Sequence, residues 1–98
     1  MTEIALDDYV VDILMRDLVG HDKSPSSFLV YLYLWGQTYG RARETVEISH
    51  QTLAEQTGLS KSAVQSAVRN LSRRKLIRSK KSTVTATPEY SLERPWRR

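Results

Sequence analysis

The stretch TLAEQTGLSKSAVQSAVRNLSRRKLI, Thr52 to Ile77, restricts the fold more than any other part of the chain. Gly58 stands four residues after the small Ala54 and two before Ser60. A glycine accepts positive φ without strain, so one helix can end there and the chain can turn sharply. Ser60 then offers the hydroxyl that a new helix uses at its N-cap. Val64, Ala67, Val68 and Leu71 follow at i, i+3, i+4 and i+7, the apolar face of a helix running to about Arg74. Ala54 leaves room where the second helix crosses the first, and Leu53 and Leu59 complete the small apolar cluster between them. Two helices joined by a tight turn are expected.

That arrangement is the helix-turn-helix pattern. At about 100° per residue, the positions opposite Val64 and Leu71 are Ser62, Ser66, Arg69 and Arg73, with Gln65 and Asn70 on the flanks. None is acidic or a large apolar residue. Gln and Asn pair bidentately with adenine and Arg with guanine, while Ser bonds base edges or phosphates. Lys61 and the caps of both helices lie near helix N-termini, where backbone amides favour phosphate. Charge is distributed to match. Residues 1–40 carry two basic and six acidic side chains, a net −4, whereas residues 41–98 carry thirteen and five, a net +8. Between Glu55 and Glu89 there is no acid at all. A polyanionic partner is expected for the second half, with a solvated basic face as the alternative.

The remaining segments suggest one domain over residues 1–98, mainly α with a small β-sheet. Residues 1–23 form an N-terminal helical segment, in which Val10, Ile13, Leu14 and Val19 lie near helical spacing and Gly20 ends the helix. Ser24 and Pro25 start the next helix, Ser as cap and Pro pre-set for the first turn, and it runs to about Tyr39. Phe28, Tyr31, Leu32 and Trp35 make one apolar face, which Leu29, Tyr33 and Leu34 extend most of the way round. Such a helix is either central to the domain or shared with a partner chain. A domain this small rarely encloses a helix completely, so a homodimer is an expected assembly. Gly40 breaks the pattern, TVEIS alternates as a short strand, and Ser49 caps a helix over His50 to Thr57. Two more strands are expected near Leu76–Lys81 and Glu89–Glu93, joined by the polar loop STVTAT, with residues 94–98 a frayed tail.

These residues resemble the winged helix-turn-helix family, especially GntR- and MarR-like bacterial regulators and the N-terminal domains of phage and plasmid replication proteins. The resemblance covers roughly Pro25 to Leu92: TVEIS matches the strand before the two helices, LAEQTGLSKSAVQSAVRNL the helices, RRKLI the exit, and LIRSKK to EYSL the hairpin wing. It implies three to four helices plus a wing, with Ser60–Arg73 as a recognition helix in the major groove of double-stranded DNA. On that reading Ser62, Gln65, Ser66 and Arg69 contact bases, and Lys61, Arg73, Lys80 and Lys81 hold the backbone. Thr83 on the wing is a further candidate. One departure stands out: many members have glycine where this chain has Lys75, closing the helix in a left-handed conformation.

Other chemistries find little support. There is no cysteine, so thiolate metal sites and disulfides are excluded, and His21 and His50 have no ligand-like spacing. No cofactor or small-molecule ligand is suggested. Catalysis would need converging groups, yet the acids cluster in the N-terminal third and no phosphate-binding glycine loop is present. His50 is a first-turn helix residue, either structural or a phosphate contact. No signal-peptide pattern precedes the domain, and the most apolar run, FLVYLYLW, is far too short to span a membrane; a cytoplasmic protein is expected. Tyr90 and Trp96 make no stacking platform for RNA. Three roles stay open: a transcriptional regulator, which the sequence favours, a replication-initiation or partition protein, and a winged-helix docking module. A docking version would carry apolar or acidic residues on the face that here carries Ser, Gln and Arg.

Overall fold

In the computed structural model, which describes residues 3–97, the N-terminal segment winds more loosely than its sequence suggests. Val10–Leu14 and Asp17–His21 are π-helical, with the Met15 amide donating to the Val10 carbonyl and the Asp22 amide to that of Asp17. The wide i→i+5 turns bring residues four apart onto one face. Val10, Leu14 and Leu18 are therefore buried, whereas Val19, expected inside, is 38% exposed. The helical backbone also runs past Gly20, to His21.

Helix α1 (Pro25–Gln37) is the central post. Phe28, Val30, Tyr31, Leu34 and Trp35 are buried within the chain, Leu32 and Tyr33 pack partly against the same core, and Leu29 is left outside. Central burial, rather than a partner chain, thus accounts for most of its apolar circumference. Its start differs from expectation: the Ser24 hydroxyl bonds Ser27 Oγ at 2.6 Å and caps no backbone amide. Its end comes before Tyr39, because Thr38 leaves the helical backbone (φ −109°, ψ −85°) while its Oγ1 donates back to the Leu34 carbonyl. A 3₁₀ turn, Tyr39–Arg41, follows. A Cβ at Gly40 would stand 3.0 Å from the Ile4 side chain, which would have to give way by a few tenths of an ångström.

The aromatic residues of this region hold both ends of the chain. Trp35 Nε1 donates to the Ala5 carbonyl at 2.8 Å, Tyr31 to Glu93 at 3.0 Å and Tyr39 to Leu92 at 2.9 Å. The tail is not frayed over Arg94–Arg97. Trp96 stacks on Tyr9 with centroids 4.5 Å apart, its indole N–H donates to Asp7, and Arg97 makes a two-pronged bond to the same carboxylate. Arg98 lies outside the described residues.

Helices α2 (His50–Thr57) and α3 (Lys61–Arg73) form as their caps dictate. Ser49 accepts from the Thr52 amide and Ser60 from the Ala63 amide, both at 3.1 Å, and Gly58 turns the chain at φ +79°. Leu53, Val64, Ala67 and Leu71 close the interface between the helices. After α3 the chain closes in a Schellman motif: the Leu76 amide bonds the Leu71 carbonyl at 2.9 Å and the Lys75 amide that of Ser72 at 3.0 Å. Lys75 holds φ +60°, so the left-handed geometry is kept with a lysine in it. Buried Leu71 and Leu76 supply the apolar contact that accompanies the motif.

Strands β1 (Val46–Glu47), β2 (Ile77–Lys80) and β3 (Glu89–Leu92) form an antiparallel sheet in the order β1-β3-β2, with Ser79 opposite Tyr90 and Lys80 opposite Glu89. A strand, two helices at a tight turn and a hairpin around a central helix make the winged helix-turn-helix architecture. Among the described residues no helix is long and apolar enough to cross a membrane.

Candidate nucleic-acid interface

Burial of Val64, Ala67 and Leu71 forces the other side of α3 into solvent. Lys61, Ser62, Gln65, Ser66, Arg69 and Arg73 are all exposed. The structure divides them between two concavities. On the wing side, Lys61 and Gln65 line a cleft of about 600 Å³ with Ser49, His50 and Gln51 of α2 and Ser79, Lys80 and Lys81 of the wing. On the other side Ser66, Arg69 and Arg73 line a shallower groove, where Arg69 Nη2 lies 3.4 Å from Ser66 Oγ. Ser62 lines neither and stands at the exposed crest of the helix. A helix presenting polar side chains along its crest, with a basic wing beside it, has the shape that enters a major groove while the wing follows the backbone.

The cations of the acid-free stretch differ in employment. Arg74 donates from Nε and Nη2 to buried Asp22, at 2.8 and 3.1 Å, and Arg78 lies 3.6 Å from Glu93. Burial alone would raise the Asp22 pKa. The hydrogen bonds from Arg74, His21 and Asn70, with the charge of Arg74, outweigh it and hold the carboxyl well below the usual carboxylate range. Lys61, Arg69, Arg73, Lys75, Lys80 and Lys81 make no ion pair among the described residues. They remain available to an outside anion.

One flank residue has a second role. Asn70 Nδ2 donates to Asp22 and to Ser27, each at 3.1 Å, so it braces α3 against the start of α1 while still lining the groove with Ser66, Arg69 and Arg73. Arg73 donates to the Asn70 side-chain oxygen, which positions its guanidinium at the far end of the helix. On the wing, the period of two puts Ser79 on the side of buried Ile77 and Lys80 on the other, with Arg78 and opposite Glu89. Glu89 in turn accepts from Thr45 Oγ1 at 3.1 Å. Lys81 follows β2 and reaches back to within 3.5 Å of the Val84 carbonyl at the wing tip.

His50, expected to be either structural or a phosphate contact, belongs to the cleft. Its Nε2 shares a 3.1 Å hydrogen bond with the Tyr90 hydroxyl, which the β3 register sets facing α2. Burial, and then the charges of Lys81 and Lys61, hold its pKa below the ordinary histidine value. Gln51 beside it, in the first turn of α2, is a cleft residue that the sequence left unassigned. The signal was present only in its position just after the Ser49 cap, because its nearness to the wing depends on how the sheet docks. Among the described residues no three His, Asp or Glu side chains converge as metal ligands do.

Residues 8–91 match the family model of bacteriophage replication protein O, from the first π-helical segment to β3. The match spans most of the chain, which therefore belongs to that family. No curated protein and no solved structure matches it.

Proposed function

We propose, from membership of the replication protein O family, that the chain is the double-stranded-DNA-binding domain of a phage replication protein and acts in replication initiation. The observation that carries the DNA reading is the set of unpaired cations, Lys61, Lys80 and Lys81, around the cleft between α3 and the wing. In this reading α3 lies in the major groove. Ser62, Gln65, Ser66 and Arg69 meet base edges, and Lys61, Arg73, Lys80 and Lys81 meet phosphates. Family membership supports replication over the transcriptional role that the sequence favoured. The role is binding without catalysis. Most of the apolar side chains of α1 are buried within the chain, with Leu29 exposed, so one chain per binding site is the simpler assembly and a homodimer through the remaining face the alternative.

The test is selection of bound duplexes from a randomised pool, repeated at two salt concentrations. A replication role predicts an enriched motif with a steep loss of affinity at higher salt. It also predicts that natural sites occur as direct repeats. A strictly palindromic motif bound by two chains would instead support a dimeric regulator. Absence of binding at low salt would remove the DNA reading altogether.

A further inference from the structure

His50 sits where three elements meet, and the chemistry around it is one-sided. From α3, Lys61 faces it; from the wing, Lys81; from β3, the Tyr90 hydroxyl, 3.1 Å from Nε2. The carboxylates of the adjoining elements do not line this cleft. Glu55, one turn along α2, accepts from Gln51 Nε2 at 3.4 Å, and Glu89 accepts from Thr45. A half-buried imidazole beside two ammonium groups that pair with no acid among the described residues is a poor place for a further positive charge, and its pKa is held below the ordinary histidine value. Nothing in the fold requires a histidine for that purpose, since the hydrogen bond to Tyr90 is one that an amide side chain could also make. The arrangement becomes favourable once an anion enters the cleft.

We propose that the cleft takes one backbone phosphate of the bound DNA, between Lys61 and Lys81, and that His50 contacts it as the imidazolium. The proton comes from solvent as the phosphate binds. Nε2 keeps its bond to Tyr90, and the charged ring adds a third cation to the site. This rests on the DNA-binding reading above and deepens it, because it makes binding proton-coupled. The sign follows from linkage. A phosphate raises the His50 pKa in the complex above its free value, so the added affinity is fully present below the free pKa and is lost as pH rises through the bound pKa. Between the two values affinity changes by up to roughly tenfold per pH unit.

The experiment measures affinity of the whole chain for a random-sequence duplex of about two helical turns between pH 8 and pH 5.5, for the wild type and His50→Gln. A backbone contact acts on any sequence, so the operator need not be known. The expected result is wild-type binding about tenfold tighter at pH 5.5 than at pH 8, with a flat profile for His50→Gln. The salt slope of the wild type should also steepen by about 0.9 at the lower pH, the signature of one added phosphate contact, and that of the variant should not. A titration of the His50 ring resonances in the wild type needs no variant: its midpoint should rise on adding duplex. Binding with the same pH profile in both proteins, or a His50 midpoint unmoved by DNA, overturns the proton-coupled contact and leaves the DNA reading standing. No binding by the wild type at any pH overturns both.

Discussion

The two ends of α3 are both basic in sequence, yet they are used in opposite ways. At its C-terminal end Arg74 is held by Asp22, and nearby Arg78, Arg94 and Arg97 lie against Glu93 and Asp7. Arg94 also sits 4.0 Å over the Tyr39 ring. At its N-terminal end Lys61 and Lys81 pair with no acid among the described residues, and burial and their charges hold the pKa of His50 beside them below its ordinary value. Acids from the first quarter of the chain fold back onto one end only. Net charge therefore overstates the DNA-binding surface: part of it braces the fold, and the rest includes Lys61, Lys80 and Lys81 in the cleft and Arg69 and Arg73 in the groove beside it.

Mutations at the two ends should separate these roles. Asp22→Ala should have the largest effect. It leaves Arg74 and Asn70 without their acceptor, and because Arg74 is about a third exposed the cost should be about 2–3 kcal/mol rather than that of a fully buried pair. Thermal or urea unfolding checks it, and a loss of DNA affinity at unchanged stability would break the comparison. Arg69→Ala should leave stability alone but weaken binding by about 1–3 kcal/mol and relax selectivity at one position. Competition between the selected motif and its single-base variants reads this directly. A Lys75→Gly variant should be more stable by about 1 kcal/mol, since glycine holds φ +60° without the strain a lysine carries. An unchanged melting midpoint would show that the left-handed closure is not held in solution.

Smaller effects test the cleft and the clamp. Lys81→Ala should lower affinity for all sequences alike and reduce the salt slope by about 0.9. A sequence-selective loss would move Lys81 from the phosphate group to the base-reading one. The acid side of the stability profile sharpens the other end. Arg97 hydrogen bonding foremost, working against burial, holds the Asp7 carboxyl below its ordinary range, and Asp22 lies lower still. Both contributions are fully present above the unfolded carboxylate pKa near 3.9 and are lost as pH falls below it. Melting temperature should therefore drop more steeply below pH 4 in the wild type than in Asp22→Asn, and equal slopes would show that the bridge contributes little.

What was legible in the sequence was local. Ser49, Gly58 and Ser60 declare the boundaries of α2 and α3 because a cap or a turn is decided within three or four residues. The apolar spacing of Val64, Ala67 and Leu71 likewise fixes which face of α3 is buried, and so which side chains face outward. The wing strands follow from alternation and β-forming residues, with their bounds nearly as expected.

What only the tertiary structure decided depends on partners far away in the chain. Asn70 reads as a flank of the recognition face until Asp22, 48 residues earlier, is seen to hold it. Trp96 reads as part of a loose end until Tyr9 and Asp7 receive it. His50 is an isolated histidine until sheet pairing carries Tyr90 and Lys81 to its side. The N-terminal segment looks like an ordinary helix, because a stripe at a spacing of four can be served by an α-turn or a π-turn and packing against α1 chooses between them. Periodicity and caps are properties of neighbouring residues, so one chain displays them unaided. Which acid neutralises which base, and which bases are left for DNA, is settled only when segments 40 to 90 residues apart are packed together.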